Sequence, residues 1–257
     1  MSVLDEIIIG VREDLDERRL PLAQIHDLVR SAPPVRDAIA ALSSDGLSII
    51  AEVKRSSPSK GALANIPDPA ALAHVYQEAG ASIVSVLTEK RRFGGSLDDL
   101  VAVRESISIP LLRKDFMVDE YQFYEARAYG ADLVLLIVAA LSSQQLRDFH
   151  ALSTELGMSV LVEIHTEDEL DRALEISPSL VGVNSRNLKT LDVNPQVFAD
   201  LLPKVPASIF AVAESGISTR AEALFAQGYG AKALLVGEAL VRGSDPALAL
   251  RTLLGQG

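Results

Sequence analysis

Cysteine is absent from the 257 residues. Its absence removes thiol nucleophiles, disulfides and any zinc or iron–sulfur site built on cysteine. Basic charge is in short supply: 24 Lys and Arg stand against 35 Asp and Glu, a formal charge of −11. A nucleic-acid partner rewards clustered positive charge, so none is expected, and the acidic balance reads as a solubility feature. Long apolar runs are missing too. The most apolar stretch, Leu133 to Leu141, falls short of the roughly 20 residues that a helix needs to cross a bilayer. The first twenty residues, MSVLDEIIIGVREDLDERRL, carry acids where a signal peptide carries bases. A cytoplasmic, monomeric protein with no membrane partner is the expectation.

What is present can build a large core: 48% of the residues are hydrophobic and 23% charged. The length suits two small domains or one α/β barrel. Leu4, Ile7, Ile8, Val11 and Leu15 repeat at helical spacing, as do Leu22, Ile25, Leu28 and Val29. Residues 1–46 are therefore expected to form a helical extension, with a third short helix after SAPP. From Leu47 to the C-terminus at residue 257 the texture changes to short apolar runs separated by charged helical segments. There are eight: LSIIAEVK (47–54), SIVSVLT (82–88), IPLLRKD (109–115), DLVLLIV (132–138), SVLVEIH (159–165), LVGVNSR (180–186), SIFAVAES (208–215) and KALLVGE (232–238).

Near-continuous apolar strands alternating with helices require a parallel sheet covered by helices. EAGASIVSV, AYGADLVLL and GYGAKALLV each place glycine at a helix end before a strand. Thr166 and Glu169 are spaced as a capping box. Eight such units predict a (β/α)8 barrel preceded by an N-terminal helical extension. An open doubly wound sheet competes, but no glycine fingerprint follows the first strand.

Strand alternation then assigns the polar residues. Glu52 and Lys54 share a face with Ile50; Lys114 shares one with Leu112, Glu163 with Leu161, Asn184 and Arg186 with Gly182, and Glu214 with Val212. Five strands thus end in charged or amide side chains facing one space, at the end where barrel active sites lie. A barrel-end ion network would account for any one of them alone. Gly216 in ESGIS and Gly237 in VGEAL stand where strands seven and eight turn into helices, the place where barrels bind phosphate with backbone amides; Ser215 and Glu238 belong to the same turns. A Walker-type loop is absent. His26, His74, His150 and His165 have no metal-ligand spacing, so no metal site is expected.

IIAEVKRSSPSKG (49–61) resembles the signature of the indole-3-glycerol phosphate synthase family, whose first strand and loop read E-x-K-x-x-S-P-S. SVLTEKRRFGGS (85–96), PLLRKDFMVDEYQ (110–122), VLVEIHTEDEL (160–170), VGVNSRNL (181–188), AESGI (213–217) and LLVGEAL (234–240) resemble that family in order and spacing. The resemblance implies a carboxy-lyase of tryptophan biosynthesis. Its substrate, 1-(2-carboxyphenylamino)-1-deoxyribulose 5-phosphate, closes a ring and loses carbon dioxide and water to give indole-3-glycerol phosphate. No step calls for a metal or organic cofactor. Ring closure needs an acid on the ketone oxygen, for which Lys114 is the candidate.

The resemblance gives Lys54 to the substrate carboxylate and the later dehydration, Glu52 to holding the lysines and Glu163 to proton transfer. Asn184 and Arg186 would orient the substrate, with Arg186 and Ser56 at its carboxylate. Glu214 would line the pocket, Phe93 and Phe116 would wall the aromatic ring, and Ser215, Gly216, Gly237 and Glu238 would take the phosphate. Two departures stand out: EKRRFGGS lacks the further aromatics common before these glycines, and Ala239 replaces a common hydroxyl residue. No second isomerase barrel is expected after Gly257. A Schiff-base aldolase, a sugar-phosphate isomerase and a non-catalytic scaffold are the alternatives, and the N-terminal helices are expected to cap the barrel mouth.

Overall fold

The computed structural model describes residues 2–43 and 46–256; residues 1, 44, 45 and 257, at the limits of the expected extension and barrel, lie outside the described residues. Eight parallel strands close into a barrel: β1 (Ser48–Val53), β4 (Ile83–Leu87), β5 (Leu111–Lys114), β6 (Leu133–Ile137), β7 (Ser159–Ile164), β8 (Leu180–Asn184), β9 (Phe210–Glu214) and β10 (Ala233–Val236). The intervening β2 (Ser56–Ser57) and β3 (Gly61–Ala62) form a separate antiparallel hairpin in the loop after β1. The apolar runs become strands because both faces of each are covered, one by the barrel interior and one by helices. Those helices are α4 (Pro69–Glu78), α5 (Leu97–Ser106), α6 (Tyr121–Ala128), α7 (Ser143–Glu155), α8 (Glu167–Leu174), α9 (Gln196–Leu201), α10 (Arg220–Gly228), α11 (Glu238–Arg242) and α12 (Pro246–Leu254).

The three look-alike junctions share one closing hydrogen bond: the amides of Ala81, Ala131 and Ala231 donate to the carbonyls of Tyr76, Ala126 and Ala226 at 3.0, 2.9 and 3.1 Å. This six-to-one bond satisfies a carbonyl that the helix end would otherwise leave open. The capping box at Thr166 is incomplete. Thr166 Oγ1 accepts the Glu169 amide, but the Glu169 carboxylate takes the amide of His165 at 2.7 Å, one residue before the cap.

Three helices precede the barrel: α1 (Val3–Arg18), α2 (Leu22–Ser31) and α3 (Ala38–Leu42). Ser2 and Asp5 cap α1 reciprocally, and Leu4, Ile7, Val11 and Leu15 are buried. Only part of the extension reaches the mouth, contrary to the expectation that its helices cap it together. Ile7 of α1 lines the mouth cavity. The linker after α2 runs to the opposite end, where Arg36 donates to the carbonyls of Ile107 and Ile109, both at 2.7 Å, ahead of β5. There α3 follows, with Leu42 and Ala38 buried. The apolar face of α2 is also narrower than its sequence suggests. Ile25 is buried against Leu15 and Tyr121, while Leu22 and Leu28 are 60% and 41% exposed.

Candidate active site

The C-terminal ends of the barrel strands surround a cavity of about 1010 Å³, counting the solvent at its mouth. Thirteen of the fourteen residues assigned from sequence line it: Glu52, Lys54, Phe93, Lys114, Phe116, Glu163, Asn184, Arg186, Glu214, Ser215, Gly216, Gly237 and Glu238. Ser56 is the exception, and the assignment is corrected. Its hydroxyl donates to the Arg92 carbonyl at 2.8 Å, whereas Ser57, Pro58 and Ser59 turn to the cavity. Ser56 pairs with Ala62 in the hairpin after β1, and the first serine of the E-x-K-x-x-S-P-S pattern falls on Ser57.

Five charged groups occupy the cavity floor. Lys114 Nζ donates to Glu163 Oε2 at 3.1 Å and lies 3.5 Å from Glu214 Oε2; Lys54 Nζ is 2.6 Å from Glu52 Oε1. Glu52, Glu163 and Glu214 are buried. Burial alone would drive Lys114 toward neutrality, but the carboxylates of Glu163, Glu214 and Glu52 outweigh it and raise its pKa. Glu214 responds in the opposite sense to an ordinary ion-pair partner. Desolvation, together with the charges of Glu163 and Glu52, overcomes the pull of Lys114 and pushes it up to about 8. Its Oε1 is buried without a hydrogen-bond partner.

Arg186 and Asn184 are joined at the end of β8. The Asn184 Oδ1 accepts the Arg186 amide at 2.9 Å, and Arg186 Nη1 donates to Ser59 Oγ and the Leu191 carbonyl at 3.0 and 2.9 Å. The guanidinium therefore ties the β8–α9 loop to the hairpin after β1. Phe93 and Phe116 face one another with centroids 6.0 Å apart. On the opposite side, Ser215 and Gly216 both have positive φ, 66° and 68°, so the chain turns sharply out of β9. Glycine fits at the second position because a Cβ there would meet Val193 Cγ1 at 2.7 Å. His165 Nδ1 lies 2.6 Å from the Asn184 carbonyl, which engages it structurally. Among the described residues no group of three or more His, Asp or Glu is arranged to hold a metal ion.

Sequence reasoning missed the reverse face of β5. Arg113 is fully buried and its Nη2 contacts Asp115 Oδ2 at 3.0 Å and Glu125 Oε2 at 2.9 Å. Asp115 also accepts from Thr88 Oγ1 at 2.6 Å and the Phe116 amide at 2.8 Å, and Glu125 accepts Arg18 Nε of α1 at 2.9 Å. This chain of ions fixes the backbone on either side of Lys114. The available signal was three consecutive charges, Arg113, Lys114 and Asp115, in a strand that must be buried on both faces.

The indole-3-glycerol phosphate synthase family profile matches residues 4–253. The chain is 56% identical over 253 residues to the indole-3-glycerol phosphate synthase of Paenarthrobacter aurescens, covering 96% of this chain and 93% of that protein. It is 56% identical to the Micrococcus luteus protein of the same name, covering 98% and 96%. With that of Mycolicibacterium smegmatis it shares 52% identity, covering 100% and 95%. A crystal structure of 3-hexulose-6-phosphate synthase superposes with a TM-score of 0.67 over 82% of this chain and 99% of that one; at 18% identity the likeness is one of fold.

Proposed function

The chain belongs to the indole-3-glycerol phosphate synthase family, and from that premise we propose how its barrel mouth carries out ring closure, decarboxylation and dehydration. The enzyme is a carboxy-lyase of tryptophan biosynthesis acting on a phosphorylated small molecule. The observation that carries the reading is Lys114, held protonated between Glu163 and Glu214 on the cavity floor.

The substrate phosphate sits at the turns Ser215–Gly216 and Gly237–Glu238, where backbone amides border the cavity. The aromatic ring lies by Phe93 and Phe116, and its carboxylate is drawn to Lys54 and Arg186. The ring carbon bearing that carboxylate attacks the ketone carbon. Negative charge then develops on the ketone oxygen, which takes a proton from Lys114. Carbon dioxide leaves, its bonding pair returning to the ring. The new hydroxyl departs as water, protonated by Lys54, while Glu163 removes a proton so that the indole forms. Glu52 holds the Lys54 ammonium in place, and Asn184 holds the β8–α9 loop through the Arg186 amide. The reading takes the enzyme as cytoplasmic and monomeric.

Mixing the purified protein with 1-(2-carboxyphenylamino)-1-deoxyribulose 5-phosphate tests it. Indole fluorescence should grow with one carbon dioxide released per product. A protein that binds this compound but yields neither signal contradicts the reading.

A further inference from the structure

Gly182 lies inside β8, where a glycine weakens a strand and gives nothing to the core. Its backbone does not ask for glycine, because its φ lies outside the left-handed range. The reason is steric. A Cβ built on Gly182 would approach Glu214 Oε1 far inside 3.0 Å, a separation that real Cβ atoms essentially never show, and Glu214 Cδ at 3.1 Å. The other neighbour, Leu161 Cδ1 at 3.3 Å, is the end of a side chain that can rotate aside. Strand β8 runs between β7, which carries Glu163, and β9, which carries Glu214. The gap over Gly182 is thus the space into which the Glu214 carboxyl folds back beside Lys114.

The same device recurs at the other lysine. Gly237 follows β10 beside β1, and a Cβ there would meet Glu52 Oε1 at 2.6 Å and Glu52 Cβ at 3.0 Å. Its φ of −127° is open to any residue. A second carboxylate therefore rests where a side chain has been left out.

We propose that Gly182 is a positioning residue for the reaction: its missing side chain forms the slot that holds the Glu214 carboxyl against Lys114. The inference rests on the reading of the barrel mouth given above. The slot shuts water away from Oε1, which fits that oxygen's lack of any partner and the upward displacement of the Glu214 pKa.

Five variants test it: Gly182→Ala, Glu214→Asp, Glu214→Ala and the doubles Gly182→Ala/Glu214→Asp and Gly182→Ala/Glu214→Ala. Displacing a group at the reacting centre by about 1 Å can cost on the order of 10²-fold in rate. Gly182→Ala should therefore lose about that factor in kcat while KM changes far less. Aspartate is one methylene shorter and leaves room for the new methyl, so Gly182→Ala/Glu214→Asp should be faster than Gly182→Ala alone. Unchanged kcat in Gly182→Ala, or losses that simply multiply in Gly182→Ala/Glu214→Asp, overturns the proposal.

Folding is controlled separately. With the carboxylate gone, adding Gly182→Ala to Glu214→Ala should leave the urea midpoint where Glu214→Ala puts it; a drop as large as in the wild-type background also overturns the proposal. Full activity in Glu214→Ala would instead sink the reading of Glu214 as a site residue, a result distinct from failure of the slot.

Discussion

Lys114 and Glu214 show how one buried pair can be tuned in a single direction. Both groups have raised pKa values, the lysine because carboxylates surround it and the acid because it is buried beside other acids. The folded chain thus holds the Glu214 proton up to about pH 8, whereas the ordinary value is 4.5. Between those two points the unfolded chain binds fewer protons than the folded chain, so this group lowers stability as pH rises. Glu214→Gln removes that dependence. Its urea midpoint relative to wild type should rise between about pH 5 and about pH 8, and a constant difference would contradict the assignment. The site's side chains were legible in the sequence because they follow strand alternation: Glu52, Lys114, Glu163, Asn184 and Glu214 all sit on named strands and all face the cavity. Ser56 was assigned from the resemblance and not from alternation; β1 ends at Val53, and the hairpin that follows sends Ser56 to the Arg92 carbonyl and Ser57 to the cavity.

At the scale of elements, β5 is a strand with chemistry on one face and its support on the other. Inward it offers Lys114; outward, Arg113 joins Asp115 beside the lysine to Glu125 of α6, and Arg18 extends the chain of ions to α1. The outward half was hidden in the sequence because its partners lie far along the chain, 107 residues apart in the case of Arg18 and Glu125. Helix α1 also reaches the cavity directly through Ile7 and is tied over the loop after β4 by Arg91, which pairs with Glu13 and Asp14. Removing residues 1–30 should therefore weaken substrate binding and lower kcat together, measured by equilibrium binding and single-turnover rates. Unchanged affinity would remove any role for α1 at the mouth. Helix α2 was overrated by its periodicity: a helical repeat shows which face is apolar, not whether a neighbour exists to cover it.

For the molecule as a whole, closure of the barrel gathers five strand ends at the mouth and leaves the far end to stability. The division was predictable from the order of strands and helices. How the extension reaches that far end was not, because the linker is held through backbone carbonyls: those of Pro33 and Pro34 accept Arg127 and Arg104, and Arg36 donates to those of Ile107 and Ile109. Asp132 is the centre of the far end: fully buried, it accepts the amides of Arg36 at 2.7 Å and Leu111 at 2.8 Å, and Arg104 Nη1 at 2.5 Å. Asp132→Ala leaves Arg104 without its carboxylate, a loss on the order of 3–5 kcal/mol when a buried pair is broken. Denaturant unfolding should show that loss while kcat of the remaining folded enzyme stays close to wild type. A large fall in kcat at unchanged stability would contradict the division between the two ends.

The central claim is that Lys114 supplies the proton for ring closure, and Lys114→Met tests it most directly because methionine keeps much of the side chain's bulk. Under single-turnover conditions with saturating substrate, the variant should bind the compound yet form indole product slower by orders of magnitude. Ring closure at an undiminished rate would contradict the account.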